Sequence, residues 1–164
     1  MDEENWAAVA PRLSLILPTG SLEKGLGYGV PGVQFCIPAS KRLTEYFVVH
    51  ANAGLTFLPK AKGRDGSNRP VRRDLFSYYY GGSIIFLAHP NYNFLVECLV
   101  NNFAKINDQG AVVRGSETIL SPGFRCAINL GKLQIVPGVA VPFSRLKNDT
   151  RVGIFLYLSF EHPY

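Results

Sequence analysis

"LFSYYYGGSIIFLAHPNYNFLV", residues Leu75 to Val96, is the longest stretch of the chain without Asp, Glu, Lys or Arg. Its length matches that of a membrane-crossing helix, which needs about 20 apolar residues. Its composition argues otherwise. Gly81-Gly82 interrupts it, and His89-Pro90-Asn91 breaks it, because proline removes a donor and clashes with the preceding turn. Tyr, Ile and Phe favour strands. The stretch therefore reads as two strands joined by a tight turn, and that reading decides the fold class.

The same rhythm runs through the chain. Strands are predicted at Val9–Leu17, Gly27–Ile37, Thr44–Leu58, Leu75–Leu87, Tyr92–Ala104, Thr118–Leu130, Leu133–Phe143 and Arg151–Glu161. These are longer than the usual soluble strand of about 5–6 residues and close to the roughly 9–11 that cross a bilayer. No amphipathic helix interrupts them. The stretches Gly20–Leu26, Pro59–Asp74, Lys105–Glu117 and Ser144–Thr150 read as long polar loops. Ala39–Leu43, Ala88–Asn91 and the turn at Gly131-Lys132 read as short. Long loops on one side and short turns on the other is the habit of outer-membrane barrels.

Side chains alternate faces along a strand. Phe47, Val49, Ala51, Ala53, Leu55 and Phe57 share one face, opposite Tyr46, Val48, His50, Asn52, Gly54 and Thr56. Phe94, Val96, Cys98 and Val100 oppose Asn93, Leu95, Glu97 and Leu99. Phe124, Cys126 and Ile128 oppose Gly123, Arg125 and Ala127, and Leu13, Leu15 and Leu17 oppose Arg12, Ser14 and Ile16. One face is almost free of hydrogen-bonding groups, while the other mixes glycine, small polar residues and isolated charges. A membrane barrel turns the first face outward. Aromatics gather near strand ends: Phe57, Phe76, Tyr78, Tyr80, Phe103 and Phe143 toward the long loops, and Tyr46, Phe47, Tyr92, Phe94, Phe160 and Tyr164 toward the short turns. Such girdles are expected at the two interfaces. In the final stretch "RVGIFLYLSFEHPY", Val152, Ile154, Leu156, Leu158 and Phe160 share the apolar face. Such a strand must pair to close the barrel.

At 164 residues the chain reads as a single domain, residues 1–164, an all-β, antiparallel up-and-down barrel of about eight strands, transmembrane in type. Charged residues are 18% of the chain, below the usual soluble level of about 25%. The net charge of +5 is concentrated in Lys60, Lys62, Arg64, Arg69, Arg72 and Arg73, within "PKAKGRDGSNRPVRRD". That segment reads as a solvated basic surface loop, not a nucleic-acid interface. Cys36, Cys98 and Cys126 have neither disulfide-framework nor zinc spacing. "MDEENWAAVAPR" shows no signal peptide.

Three stretches carry a resemblance. "APRLSLILPTGS" (Ala10–Ser21), "LSPGFRCAINLGKLQIVPGVAVPFS" (Leu120–Ser144) and "VGIFLYLSFE" (Val152–Glu161) resemble bacterial outer-membrane barrel transporters of the phenol-degradation meta-pathway type. The resemblance implies an outer-membrane protein that passes or binds small molecules of apolar or aromatic character. That family carries a leader and further strands ahead of this region. Their absence here suggests a truncated reading frame or the C-terminal part of a larger barrel. The last strand also looks like the bacterial barrel assembly signal, except that "EHPY" follows Phe160.

No catalytic constellation is visible, so an enzyme is not expected, and no cofactor or metal is implied. His50, His89 and His162 share no ligand spacing. The lumen candidates are Arg12, His50, Asn52, Glu97, Arg125 and Glu161 on the polar face. Glu97 is expected to pair with Arg125 one strand over, since a lone desolvated charge is costly. The expected partners are a lipid bilayer, lipopolysaccharide at the basic loop and a small-molecule solute. Two other functions fit the same pattern: a structural outer-membrane barrel without transport, and a soluble eight-stranded barrel holding an apolar ligand.

Overall fold

The computed structural model describes residues 6–131, 133–147 and 149–161. Every element is a strand: β1 (Ala8–Val9), β2 (Arg12–Ile16), β3 (Gly32–Arg42), β4 (Phe47–Arg64), β5 (Pro70–His89), β6 (Tyr92–Ile106), β7 (Val112–Cys126), β8 (Ile128–Leu130), β9 (Leu133–Ala140), β10 (Phe143–Leu146), β11 (Asp149–Val152) and β12 (Phe155–Glu161). All belong to one antiparallel sheet. Among the described residues there is no helix, so none is long and apolar enough to cross a membrane.

The twelve strands make eight long ones. Pro11 and Pro142 lack the N–H that a ladder needs, and each falls in a short break. Hydrogen bonding continues through the breaks: Ala10 N–H donates to Pro38 O at 3.1 Å, Val141 N–H to Pro122 O at 2.9 Å, and Gly153 N–H to Pro142 O at 3.0 Å. Thus β1 with β2, β7 with β8, β9 with β10, and β11 with β12 each act as one strand of an up-and-down meander. One perpendicular row crosses all eight: Val9, Ala39, Ala51, Gly82, Cys98, Leu120, Phe143 and Val152.

The expected closed barrel is corrected to an open sheet. Among the described residues the first strand pairs only with β3, and β12 pairs with β9. The register explains the gap. Along that row, β2 lies to one side of Val9 and β12 to the opposite side of Val152, so the free edges sit at opposite ends of a diagonal. Only strong coiling brings such edges together.

The loop assignments also change. Pro59–Asp74 is not a loop: β4 and β5 continue as a ribbon to Arg64 and Pro70, past a bulge between Leu58 and Ala61. Lys60 takes the extra position at φ 51°, and its N–H donates to Asp74 Oδ1 at 2.7 Å. The turn is five residues long, with Asp65 Oδ1 accepting from Ser67 and Arg69 N–H at 3.0 and 2.9 Å. Lys105–Glu117 and Ser144–Thr150 are likewise mostly strand, and β3 runs on to Arg42, through the expected Ala39–Leu43 turn. The ends therefore differ in ribbon length rather than loop length, and the one long connection among the described residues is 17–31. At Gly131-Lys132 a hairpin joins β8 to β9, with Gly131 at φ 63°; Lys132, like His162 and Tyr164, lies outside the described residues.

The main core lies at the ribbon end. Ala61, Leu75 and Ala104 are buried and packed by Leu58, Ile106 and two residues of the long connection, Tyr28 and Val30. Lys62 N–H donates to Tyr28 O at 3.0 Å and pins the connection there. A Cβ on Gly63 of β4 would sit 2.8 Å from Ile106 Cδ1 of β6, across β5. Contact between alternate strands requires a tightly curled sheet.

Candidate functional site

The alternation expected from sequence holds across the central strands. Phe47, Val49, Ala51, Ala53, Leu55 and Phe57 of β4 pair on one face with Phe86, Ile84, Gly82, Tyr80, Tyr78 and Phe76 of β5. On β6 that face continues through Phe94, Val96, Cys98 and Val100, and on β7 through Phe124, Pro122 and Leu120. It is the convex face, and its large side chains are exposed, from Leu15 and Phe35 to Leu156 and Phe160. Near the short turns, Phe47 stacks on Phe86 at 5.2 Å and Phe94 packs against Phe124 at 5.3 Å. From Phe76 to Phe86 the belt spans about 33 Å along β5, or about 25 Å once a barrel strand's tilt is allowed for.

The opposite face is concave and carries the lumen candidates. One row there runs Arg12, Cys36, Gly54, Tyr79, Asn101 and Glu117. A Cβ on Gly54 would lie 2.6 Å from the Tyr79 ring, so the glycine is what lets the ring lie flat across the neighbouring strand. Gln34 Nε2 donates to Thr56 Oγ1 at 3.1 Å, and Ser144 Oγ donates to Glu117 Oε1. His50 is a satisfied histidine, with Nδ1 2.7 Å from Ser40 Oγ. Asn52 Oδ1 is buried without a hydrogen-bond partner. Glu161 ends β12 opposite Gln134 in the register.

Glu97 and Arg125 do not pair as expected. Glu97 faces Ser121 and Arg125 faces Asn93, which separates them by about 13 Å along the strand direction. Ion pairs among the described residues join Arg64 to Glu23, Arg69 to Asp65 and Arg151 to Asp149. Glu97 and Arg125 instead both line a half-open concavity of about 580 Å³. Leu95, Leu99, Ile119 and Tyr157 supply much of its apolar wall. This arrangement suits a small apolar or aromatic body with a polar handle. No group of His, Cys, Asp or Glu among the described residues could hold a metal ion.

The basic segment is used partly for folding. Arg69 closes the Asp65 turn at 2.9 Å, and Arg64 reaches Glu23 of the long connection at 3.7 Å. Lys60, Lys62, Arg72 and Arg73 are exposed on the ribbon. Sequence reasoning missed Tyr79 and Tyr157. Parity on "SYYYGG" and "FLYLSF" turns both toward the polar face, and that was the available signal. No family model, curated protein or solved structure matches the chain, so its site stands on its own geometry.

Proposed function

We propose that the chain is a bacterial outer-membrane β-barrel of transporter-like type that binds or passes small apolar or aromatic molecules. The observation that carries the reading is the inversion of faces: the convex face is an apolar belt, and the polar and small residues line the concave side. In water such a belt is far larger than the few hundred Å² a soluble monomer usually exposes. In hydrocarbon it is the favoured surface, provided every backbone group is paired. The resemblance to meta-pathway transporters supports the solute class.

Closure in the bilayer would join the two free edges. Pairing Leu13 with Leu158 keeps both on the apolar face; Leu13 lies four residues from Val9, and Leu158 six from Val152. The resulting stagger of about ten residues over eight strands corresponds to a tilt of about 41°, inside the usual range of roughly 35–45°.

Folding with and without detergent micelles tests the reading, followed by circular dichroism and heat-dependent gel mobility. A β spectrum and a heat-modifiable band only in micelles support it. A cooperative fold in plain buffer overturns it in favour of a soluble barrel. For closure, Leu13→Cys with Leu158→Cys in a background lacking Cys36, Cys98 and Cys126 should cross-link within one chain through a short bis-maleimide. Cross-linked dimers would instead mean edges shared between copies. Arg125→Leu should leave the fold intact and alter solute flux in liposomes; unchanged flux would favour the structural, non-transporting barrel.

A further inference from the structure

A second concavity, of about 460 Å³, opens where the apolar belt gives way to charge. Its walls include Phe76 and Tyr78 of β5, Asn102 of β6, Arg114 and Ser116 of β7, and Lys147 just after β10. Tyr78, Asn102 and Ser116 follow one row of the sheet, since Asn102 pairs with both Tyr78 and Ser116, and Lys147 reaches the pocket from the turn just after β10. The neighbouring row toward the middle of the belt, through Tyr80, Val100 and Thr118, ends at Arg145, outside the pocket. Aromatic rings, two neutral hydrogen-bonding groups and cations thus meet in one pocket on the rim of the belt.

Nearby acids are engaged elsewhere. Glu117 accepts from Ser144 on the concave face, Asp149 pairs with Arg151 at 2.9 Å, and Asp74 accepts the Lys60 N–H. Among the described residues, Arg114, Arg145 and Lys147 have no ion-pair partner. Two cations, Arg114 and Lys147, beside aromatic rings and Ser and Asn groups suit a phosphate, which takes charge-assisted hydrogen bonds from Arg and Lys. The belt below offers an apolar surface of the length of an acyl chain, which favours a lipid-borne phosphate over a free one.

We infer that this pocket seats the phosphate of an anionic lipid headgroup whose acyl chains lie along Tyr80, Val100 and Leu120. The inference rests on the membrane reading above and adds a specific lipid site to it. Removing two juxtamembrane cations should weaken anionic-lipid binding about tenfold or more.

The test refolds the chain into micelles and measures retention of phosphatidylglycerol, phosphatidylcholine and lipid A by native mass spectrometry. The wild-type chain should retain phosphatidylglycerol or lipid A over phosphatidylcholine. Arg114→Gln with Lys147→Gln should lose that preference about tenfold, and Lys147→Gln alone should lose part of it. Arg72→Gln with Arg73→Gln, on the ribbon, should keep it. Preference retained in the double variant, or lost equally in the ribbon variant, overturns the site while the heat-modifiable band still reports membrane folding. Displacement of the lipid by millimolar inorganic phosphate also overturns it. A chain that folds only in plain buffer overturns the membrane reading and the site together. Between the two anionic probes, the one retained identifies the source of the phosphate.

Discussion

Ile84 and Ile85 are adjacent in the chain, yet Ile84 is 45% exposed on the convex face and Ile85 8% exposed on the concave one. The same contrast runs through the sheet. Convex side chains are mostly apolar and the large ones are uncovered. The concave side mixes polar, small, aromatic and aliphatic residues, which are more often covered. Chemistry alone does not place an apolar side chain in a core; the face of the sheet on which it falls does. In a soluble protein the concave side would be the apolar one. Here the polarity is reversed, which is why the bilayer enters the functional reading.

Four substitutions break or sharpen this contrast. Leu75→Ala removes the largest fully buried side chain of the ribbon-end core and should cost about 2–5 kcal/mol, read from guanidinium unfolding in micelles. A loss below 1 kcal/mol would mean that this cluster does not hold the sheet. Ile84→Arg places a charge inside the belt, one facing position from Phe86, and should destabilise the vesicle-inserted form by about 1–3 kcal/mol. If the convex face is in water, the same change will be neutral or stabilising, so the sign alone separates the two environments. On the concave side, Gly54→Val pushes a side chain into the Tyr79 ring and should cost about 1–3 kcal/mol, with Tyr79→Ser restoring most of it. Failure of that rescue would place the strain elsewhere. Gln34→Ala deletes the bond to Thr56 and should cost about 0.5–1.5 kcal/mol, the smallest effect; a loss as large as that of Leu75→Ala would reveal a larger polar network.

Much of this contrast was legible beforehand. The two-residue period assigned Arg12, His50, Asn52, Glu97 and Arg125 to one face, and the register puts all five there. The errors have physical causes. Residues 59–74 look like a loop because Gly, Asn, Lys and Arg suit water, but a two-stranded ribbon standing in water has the same composition. Glu97 and Arg125 looked like cross-strand partners because they sit on adjacent strands and the same face. Which residues face each other depends on where the hairpin turns. The turn at residues 107–111 puts Ser121 opposite Glu97, four residues short of Arg125.

The sequence by itself determined that the chain forms long antiparallel strands with one apolar and one polar face. Alternation is a local property of extended backbone, and Gly81-Gly82 and Pro90 deny the helical alternative locally. Only the tertiary structure decided which face is concave, how the strands are offset, that the edges stand apart, and that Glu97 and Arg125 share a cavity without touching. Those depend on curl and register, which accumulate turn by turn across eight strands and are written in no single segment.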